Sequence, residues 1–228
     1  MWDPEPVSRS FIEDDDGIDD DNTEVEIHQW IFKDGANKPE QIDTLLVIDN
    51  DLSVQYAKQC IIHNLVPYCV YGKDIEMYKI PGTDIHVCVA SKYKDMYAGV
   101  ITEHLKPWLE IARRAISITL MHFVFYINID NVEEQPCVIR ALHTDDTADA
   151  EVLNIPILDT PNFVKGLSAG VLTLRQHLKL TASLYCCYLD SKVMDSLNTS
   201  AVTKLFKDLN IPCKPYTTTY TADNNLFM

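Results

Sequence analysis

Basic residues are scarce: 228 residues carry 19 lysines and arginines against 34 aspartates and glutamates, a net charge of −15. No cationic stripe exists to neutralise a row of phosphates, which argues against nucleic acid as a partner. Arg113-Arg114 is an isolated pair, read as the solvent side of a helix. Glycine is equally rare, with 7 in the chain, and neither G-x-x-x-x-G-K nor G-x-G-x-x-G occurs, so no phosphate-cradling loop and no bound cofactor are expected. Long apolar runs are missing too. The longest, Leu120 to Ile127, contains His122 and is far too short for a membrane-spanning helix. The seven cysteines include no C-x-x-C, and Cys60, Cys69, Cys88, Cys186 and Cys187 lie in apolar surroundings, so buried free thiols are expected rather than disulfides. The first residues offer acids in place of the basic and apolar segments of a secretory leader, so an intracellular protein is expected.

What is present is unevenly placed. Residues 1–26 hold eleven acids against Arg9, and so contribute −10 of the net charge. Glu13 to Asp21 repels itself and lacks apolar surface, so residues 1–40 read as a disordered acidic tail that confers solubility or meets a basic surface. The remainder has the composition of one globular domain.

The most informative stretch is Asp159 to Leu189. Thr160-Pro161 resembles a helix start, a capping hydroxyl followed by proline at the first helical position. Val164, Leu167, Val171, Leu174 and Leu178 then recur at steps of three and four, an apolar stripe for burial. After a turn at Lys179-Leu180, Thr181 to Leu189 reads as a strand buried on both faces. Gly166-Leu167-Ser168-Ala169-Gly170 matches the G-x-S-x-G of a hydrolase nucleophile elbow. An elbow needs its serine on a strand-to-helix turn, whereas the stripe puts Ser168 two turns inside a helix. There its hydroxyl can bond a backbone carbonyl, and the two glycines can admit a close neighbour. His177 is the last histidine and no acid lies between Ser168 and it, so the order of acid and then histidine that such a triad requires after its serine is absent.

The segment Ile157-Leu158-Asp159-Thr160-Pro161-Asn162-Phe163-Val164-Lys165-Gly166-Leu167-Ser168-Ala169-Gly170-Val171-Leu172 is followed by Leu184-Tyr185-Cys186-Cys187-Tyr188 and Leu205-Phe206-Lys207-Asp208-Leu209. Together these resemble the proteasome assembly chaperone family, most specifically over 155–211. The resemblance implies a non-enzymatic factor that pairs with a proteasome assembly chaperone 2-like paralogue, sits on the α ring of the nascent core particle, promotes its assembly and blocks off-pathway association. It also implies a partner-contact region at Pro161, Asn162, Phe163, Val164 and Leu167, and a C-terminal end that docks between proteasome α subunits. Leu226 and Met228 fit the first and last places of that end, and Phe227 stands where the family has tyrosine. A cytoplasmic and also nuclear location follows from the same resemblance.

Elsewhere, Thr44 to Ile48 reads as a buried strand and Leu52 to His63 as a helix, with Asp51 as its cap and Val54, Ala57, Ile61 and Ile62 inward. Val66 to Tyr71, Glu76 to Ile80 and Ile85 to Ala90 form a meander punctuated at Gly72-Lys73-Asp74 and Pro81-Gly82-Thr83-Asp84. Met96 to Arg114 is helical in pattern, bent or split at Pro107, and Ile116 to Ile127 is the most hydrophobic strand. Within the loop Asn128 to Ala150 a weaker strand spans Cys137 to Leu142. Ser200 to Leu209 is a short helix with Val202, Leu205, Phe206 and Leu209 inward. His143, Asp145 and Asp146 are near enough in sequence to suggest metal ligation, although solvated loop residues account for them better.

Alternating strands and helices imply an α/β fold: a single layered domain, 41–211, with a mixed β-sheet flanked by helices. A disordered acidic tail, 1–40, precedes it, and an extended tail, 212–228, rich in proline and threonine, follows it. A nucleoside phosphorylase or nucleosidase-like enzyme is the alternative for such a domain.

Overall fold

The computed structural model describes residues 28–33, 35–91, 93–127, 135–144, 153–191 and 193–217. The acidic segment before His28 and the Leu226-Phe227-Met228 end lie outside the described residues.

Eight strands form one sheet: β1 (Trp30–Phe32), β2 (Ile42–Ile48), β3 (Cys69–Tyr71), β4 (Ile75–Lys79), β5 (Ile85–Ala90), β6 (Ala112–His122), β7 (Cys137–His143) and β8 (Ala182–Leu189). Their order is β1-β3-β4-β5-β2-β6-β8-β7. The centre, β5-β2-β6-β8, is parallel, with antiparallel strands at both edges, so the sheet is mixed as the alternation of elements implied. The β3-β4-β5 meander falls where the turn residues place it, and Ile85 to Ala90 is a strand over that same range.

Side-chain alternation along the central strands divides the core in two. Leu46, Ile48, Val87, Val89, Ile116 and Ile118 pack beneath α1 (Asp51–Cys60) and α4 (Ser200–Asp208). Leu45, Val47, Cys88 and Ala115 pack beneath α2 (Ala98–Ile111) and α3 (Leu167–His177) on the other face. Both faces being covered is why the central strands are near-continuous apolar runs. All seven cysteines are free thiols, and six of them are buried.

Several local expectations are corrected. The cap of α1 is Asn50, whose side chain accepts from Ser53 N at 3.0 Å, rather than Asp51. Helix α2 continues through Pro107, which lies on its exposed side, where the carbonyl left without an intrahelical donor can be met by solvent. It then passes directly into β6 at Ala112. Arg113-Arg114 is therefore in a strand, with Arg113 paired to Asp43 at 2.7 Å. At the other end β6 stops at His122 and Phe123–Phe125 form a short 3-10 turn, so the hydrophobic run to Ile127 is not all strand.

The largest correction concerns α3. Its helix starts at Leu167, and Asp159 to Lys165 is a turn and extended chain containing a cis Thr160–Pro161 bond. Asn162 explains the turn: its side chain donates to the carbonyls of Asp159 and Ile127, at 3.1 and 3.0 Å, and accepts from Ile127 N at 2.8 Å. Gly166, with φ 82°, then swings the backbone into the helix.

The loopless junction of α2 with β6 is held by Arg175 of α3. Its guanidinium is fully buried and donates to the carbonyls of Leu109, Ala112, Arg113 and Thr181. Those acceptors include the end of α2, where the helix dipole favours a cation. Burial lowers the Arg175 pKa to about 10.

At the two ends of the domain, β1 pairs with β3, and residues 211–217 pack on α1. Lys214 N donates to Cys60 O at 2.8 Å, and Tyr216 stacks on Tyr56 with centroids 6.1 Å apart. Residues on either side of 41–211 thus pack against the sheet and α1.

Candidate functional site

In an open α/β sheet the natural crevice lies at the C-terminal ends of the parallel strands, where the connections leave to opposite faces. Here β2 ends at Ile48 and leads to α1 on one face, its neighbour β5 ends at Ala90 and leads to α2 on the other, and a crevice of about 570 Å³ opens over the ends of β2 and β6. Asp49, Asn50 and Thr119 form part of its floor, and Tyr93 and Gly166 one wall. Asn50 Nδ2 donates to Thr119 Oγ1 at 2.6 Å, tying the ends of β2 and β6. Lys165 and Asp95 close the rim as an exposed ion pair at 2.6 Å. Among the described residues, His122 Nδ1, at the same strand end, has no hydrogen-bond partner.

Beside this floor is a polar cluster. Asp49, 3% exposed, accepts hydrogen bonds from Ser168 Oγ at 2.6 Å, Ser168 N at 3.0 Å and Tyr93 Oη at 3.1 Å. Tyr93 Oη in turn accepts from Leu167 N at 2.8 Å. The first two backbone donors of α3 are thereby satisfied, with a carboxylate at the positive end of the helix. Burial and then the Asp49 charge raise the Tyr93 pKa, keeping the phenol protonated. Gly166 is required here, because a Cβ would lie 2.9 Å from Tyr93 Oη in a backbone conformation that side chains resist.

This geometry corrects the reading of the G-x-S-x-G segment. Ser168 is the second residue of α3, not two turns inside it, and its hydroxyl bonds a carboxylate rather than a carbonyl. It is nonetheless fully buried and acts as a donor in a structural cap. The expected close approach does occur at Gly170, where a Cβ would run into Thr102 of α2.

The outer lip of the crevice is apolar. Val124 (80% exposed), Phe125 and Ile127 from the β6 side meet Phe163 (77% exposed) from the segment before α3. The Asn162 clamp on Ile127 holds these two loops together. Of the five residues read as a partner-contact region, Phe163 and Pro161 face solvent, and Asn162 and Val164 are half-buried. Leu167 is in the core, so it presents no surface. Val124 and Phe125 were missed, because a continuous apolar run reads as buried strand and gives no sign of where the strand ends.

His143 bonds Ser183 Oγ at 2.8 Å, and burial lowers its pKa. Asp145 and Asp146 lie outside the described residues. No group of three potential ligands for a metal occurs among the described residues.

A family model described as Proteasome assembly chaperone 4 matches residues 112–216, which run from β6 through the segment packed on α1. Proteasome assembly chaperone 1 of Mus musculus is 39% identical over 75 residues, 33% of this chain and 25% of that relative, so this chain spans a quarter of the curated protein it matches. Both matches bear out the family resemblance read at 155–211.

Among solved structures, Pyrococcus furiosus PbaA, an archaeal homolog of proteasome-assembly chaperone, aligns with a TM-score of 0.57 at 12% identity, over 81% of this chain and 86% of that one. Pyrococcus furiosus PbaB, an archaeal proteasome activator, aligns with a TM-score of 0.52 at 12% identity, over 81% and 90%. At such identity the likeness establishes the shared fold.

Proposed function

We propose that this chain is a proteasome assembly chaperone, working as a heterodimer with a chaperone 2-like paralogue on the α ring of the core proteasome. It promotes ring assembly and prevents off-pathway association, in the cytoplasm and nucleus. The family match over 112–216 carries this reading, because it includes both the apolar lip and the segment leading to the C-terminal residues. Exposed apolar side chains on clamped loops are a form of surface that a protein partner covers. The ordered chain is held on α1 as far as Thr217, where Gln59 Nε2 donates to Thr217 Oγ1 at 3.0 Å. Leu226, Phe227 and Met228, at the C-terminal end, dock on α subunits. The mechanism is differential binding: the chaperone favours the assembling ring and loses affinity when the particle closes.

The test is a tagged pull-down identified by mass spectrometry, comparing the intact chain, a chain lacking Leu226 to Met228, and Phe163→Asp. Recovery of a paralogous chaperone with immature α subunits is expected. Truncation should weaken the α subunits selectively, and Phe163→Asp the paralogue. Recovery of neither class by the intact chain overturns the proposal.

The crevice itself favours the second reading, a nucleoside phosphorylase or nucleosidase-like enzyme, since it occupies the usual ligand position of α/β sheets. A saturable thermal shift with nucleosides, together with base release, would establish it.

A further inference from the structure

Cys60, the last residue of α1, and Cys213, in the segment packed on that helix, are 153 positions apart in sequence, yet Cys213 packs against the core cluster that contains Cys60. The neighbouring backbone is fixed by the Lys214 N to Cys60 O bond at 2.8 Å, which sets the two chains side by side as a disulfide requires. Tyr56 Oη, 2.8 Å from Thr203 Oγ1, is also 3.3 Å from Cys213 Sγ. The two thiols differ in environment. Cys60 is buried, whereas Cys213 is partly open to solvent. The neighbouring Cys60 thiol, and less strongly Tyr56 Oη and the charge of Lys207, hold the Cys213 thiol below its ordinary value against the opposing pull of burial. Cys60 is pushed up, first by that same contact and then by burial. A partly exposed thiol of lowered pKa beside a buried thiol of raised pKa is the pairing of an attacking and a resolving cysteine.

We propose that Cys60 and Cys213 form a reversible disulfide on exposure to a hydroperoxide, a modification that staples residues 211–217 to α1. The Cys213 thiolate attacks the outer peroxide oxygen. The O–O bond breaks, the leaving oxygen takes a proton as alcohol or water, and Cys213 becomes a sulfenic acid. Cys60 Sγ then attacks that sulfur, its proton and the sulfenic hydroxyl leave as water, and the S–S bond forms. Two thiols are oxidised by two electrons, and one hydroperoxide is reduced. A low-molecular-weight thiol reverses the reaction by exchange. The inference is independent of the chaperone reading, although it would fix the point from which the C-terminal residues depart.

The test uses the full reduced chain, titrated with hydrogen peroxide, alkylated and mapped by mass spectrometry. A Cys60–Cys213 linked peptide is expected at low peroxide, with Cys69, Cys88, Cys186 and Cys187 still alkylated after denaturation. Dithiothreitol should abolish the link, and the oxidised chain should melt at a higher temperature. In Cys60→Ser the sulfenic acid at Cys213 should be trapped by dimedone about tenfold or more faster than Cys60 is modified in Cys213→Ser. Another preferred pair, oxidation of Cys213 without the link, or no reaction of the intact chain would overturn the proposal.

Discussion

Asp49 and Ser168, 119 positions apart, are joined by two hydrogen bonds, Oγ to Oδ1 at 2.6 Å and backbone N to Oδ2 at 3.0 Å. The end of β2 is thus the N-terminal cap of α3. Removing the hydroxyl leaves a buried carboxylate oxygen short of a donor, so Ser168→Ala should cost about 1.5–3 kcal/mol. Asp49→Ala should cost more, since it also strands the α3 amide and Tyr93 Oη. Urea denaturation of both single variants and the double variant measures this. Additive losses would mean that the pair is not coupled.

Arg175 satisfies carbonyls from both sides of the α2–β6 junction, and among the described residues no carboxylate pairs with it. Arg175→Met fills much of the space but supplies no donors, leaving several buried acceptors open. A loss of about 3–5 kcal/mol is expected, or failure to fold. Arg175→Lys, which keeps the charge but not the fork, should recover only part of this. Melting curves of the two variants decide it.

Gly170 marks the close approach of α3 to α2. A Cβ there would overlap Thr102 Oγ1 and lie 3.3 Å from Thr102 Cβ. Gly170→Ala should therefore destabilise by about 1–3 kcal/mol despite the better helix propensity of alanine. Thr102→Ala in the same chain should restore most of the loss. No rescue would show that the contact is not the cause.

His86 is buried, with Nδ1 2.7 Å from Tyr68 Oη and Nε2 3.8 Å from Asp84. Burial and the charge of Lys79 lower its pKa from 6.5 to about 4, against a smaller opposing pull from Asp84. The unfolded chain binds a proton below about pH 6.5, while the folded chain does so only near pH 4. This stabilisation is full above the unfolded value and is lost as pH falls between the two, amounting to up to about 3 kcal/mol. His86→Gln should flatten the fall in urea midpoint between pH 7 and pH 4.5. An unchanged slope would assign the acid sensitivity to other groups.

The sequence by itself determined the alternation of elements, because burial on one or both faces is written in periodicity. Thr44 to Ile48, Ile85 to Ala90, the buried strand before Asp190 and the inward face of α4 all follow from local pattern. The family resemblance was legible for the same reason, being carried by a continuous segment. Tertiary structure decided what depends on atoms distant in the chain. Pro161 gives a strong local signal for a helix start, yet the Asn162 clamp on Ile127 outweighs it and delays α3 to Leu167. Ser168 looked like a mid-helix serine until Asp49 was brought to it. The Phe163 lip and the Cys60–Cys213 contact exist only because the sheet order places separate strand ends and chain segments together, which no local periodicity encodes.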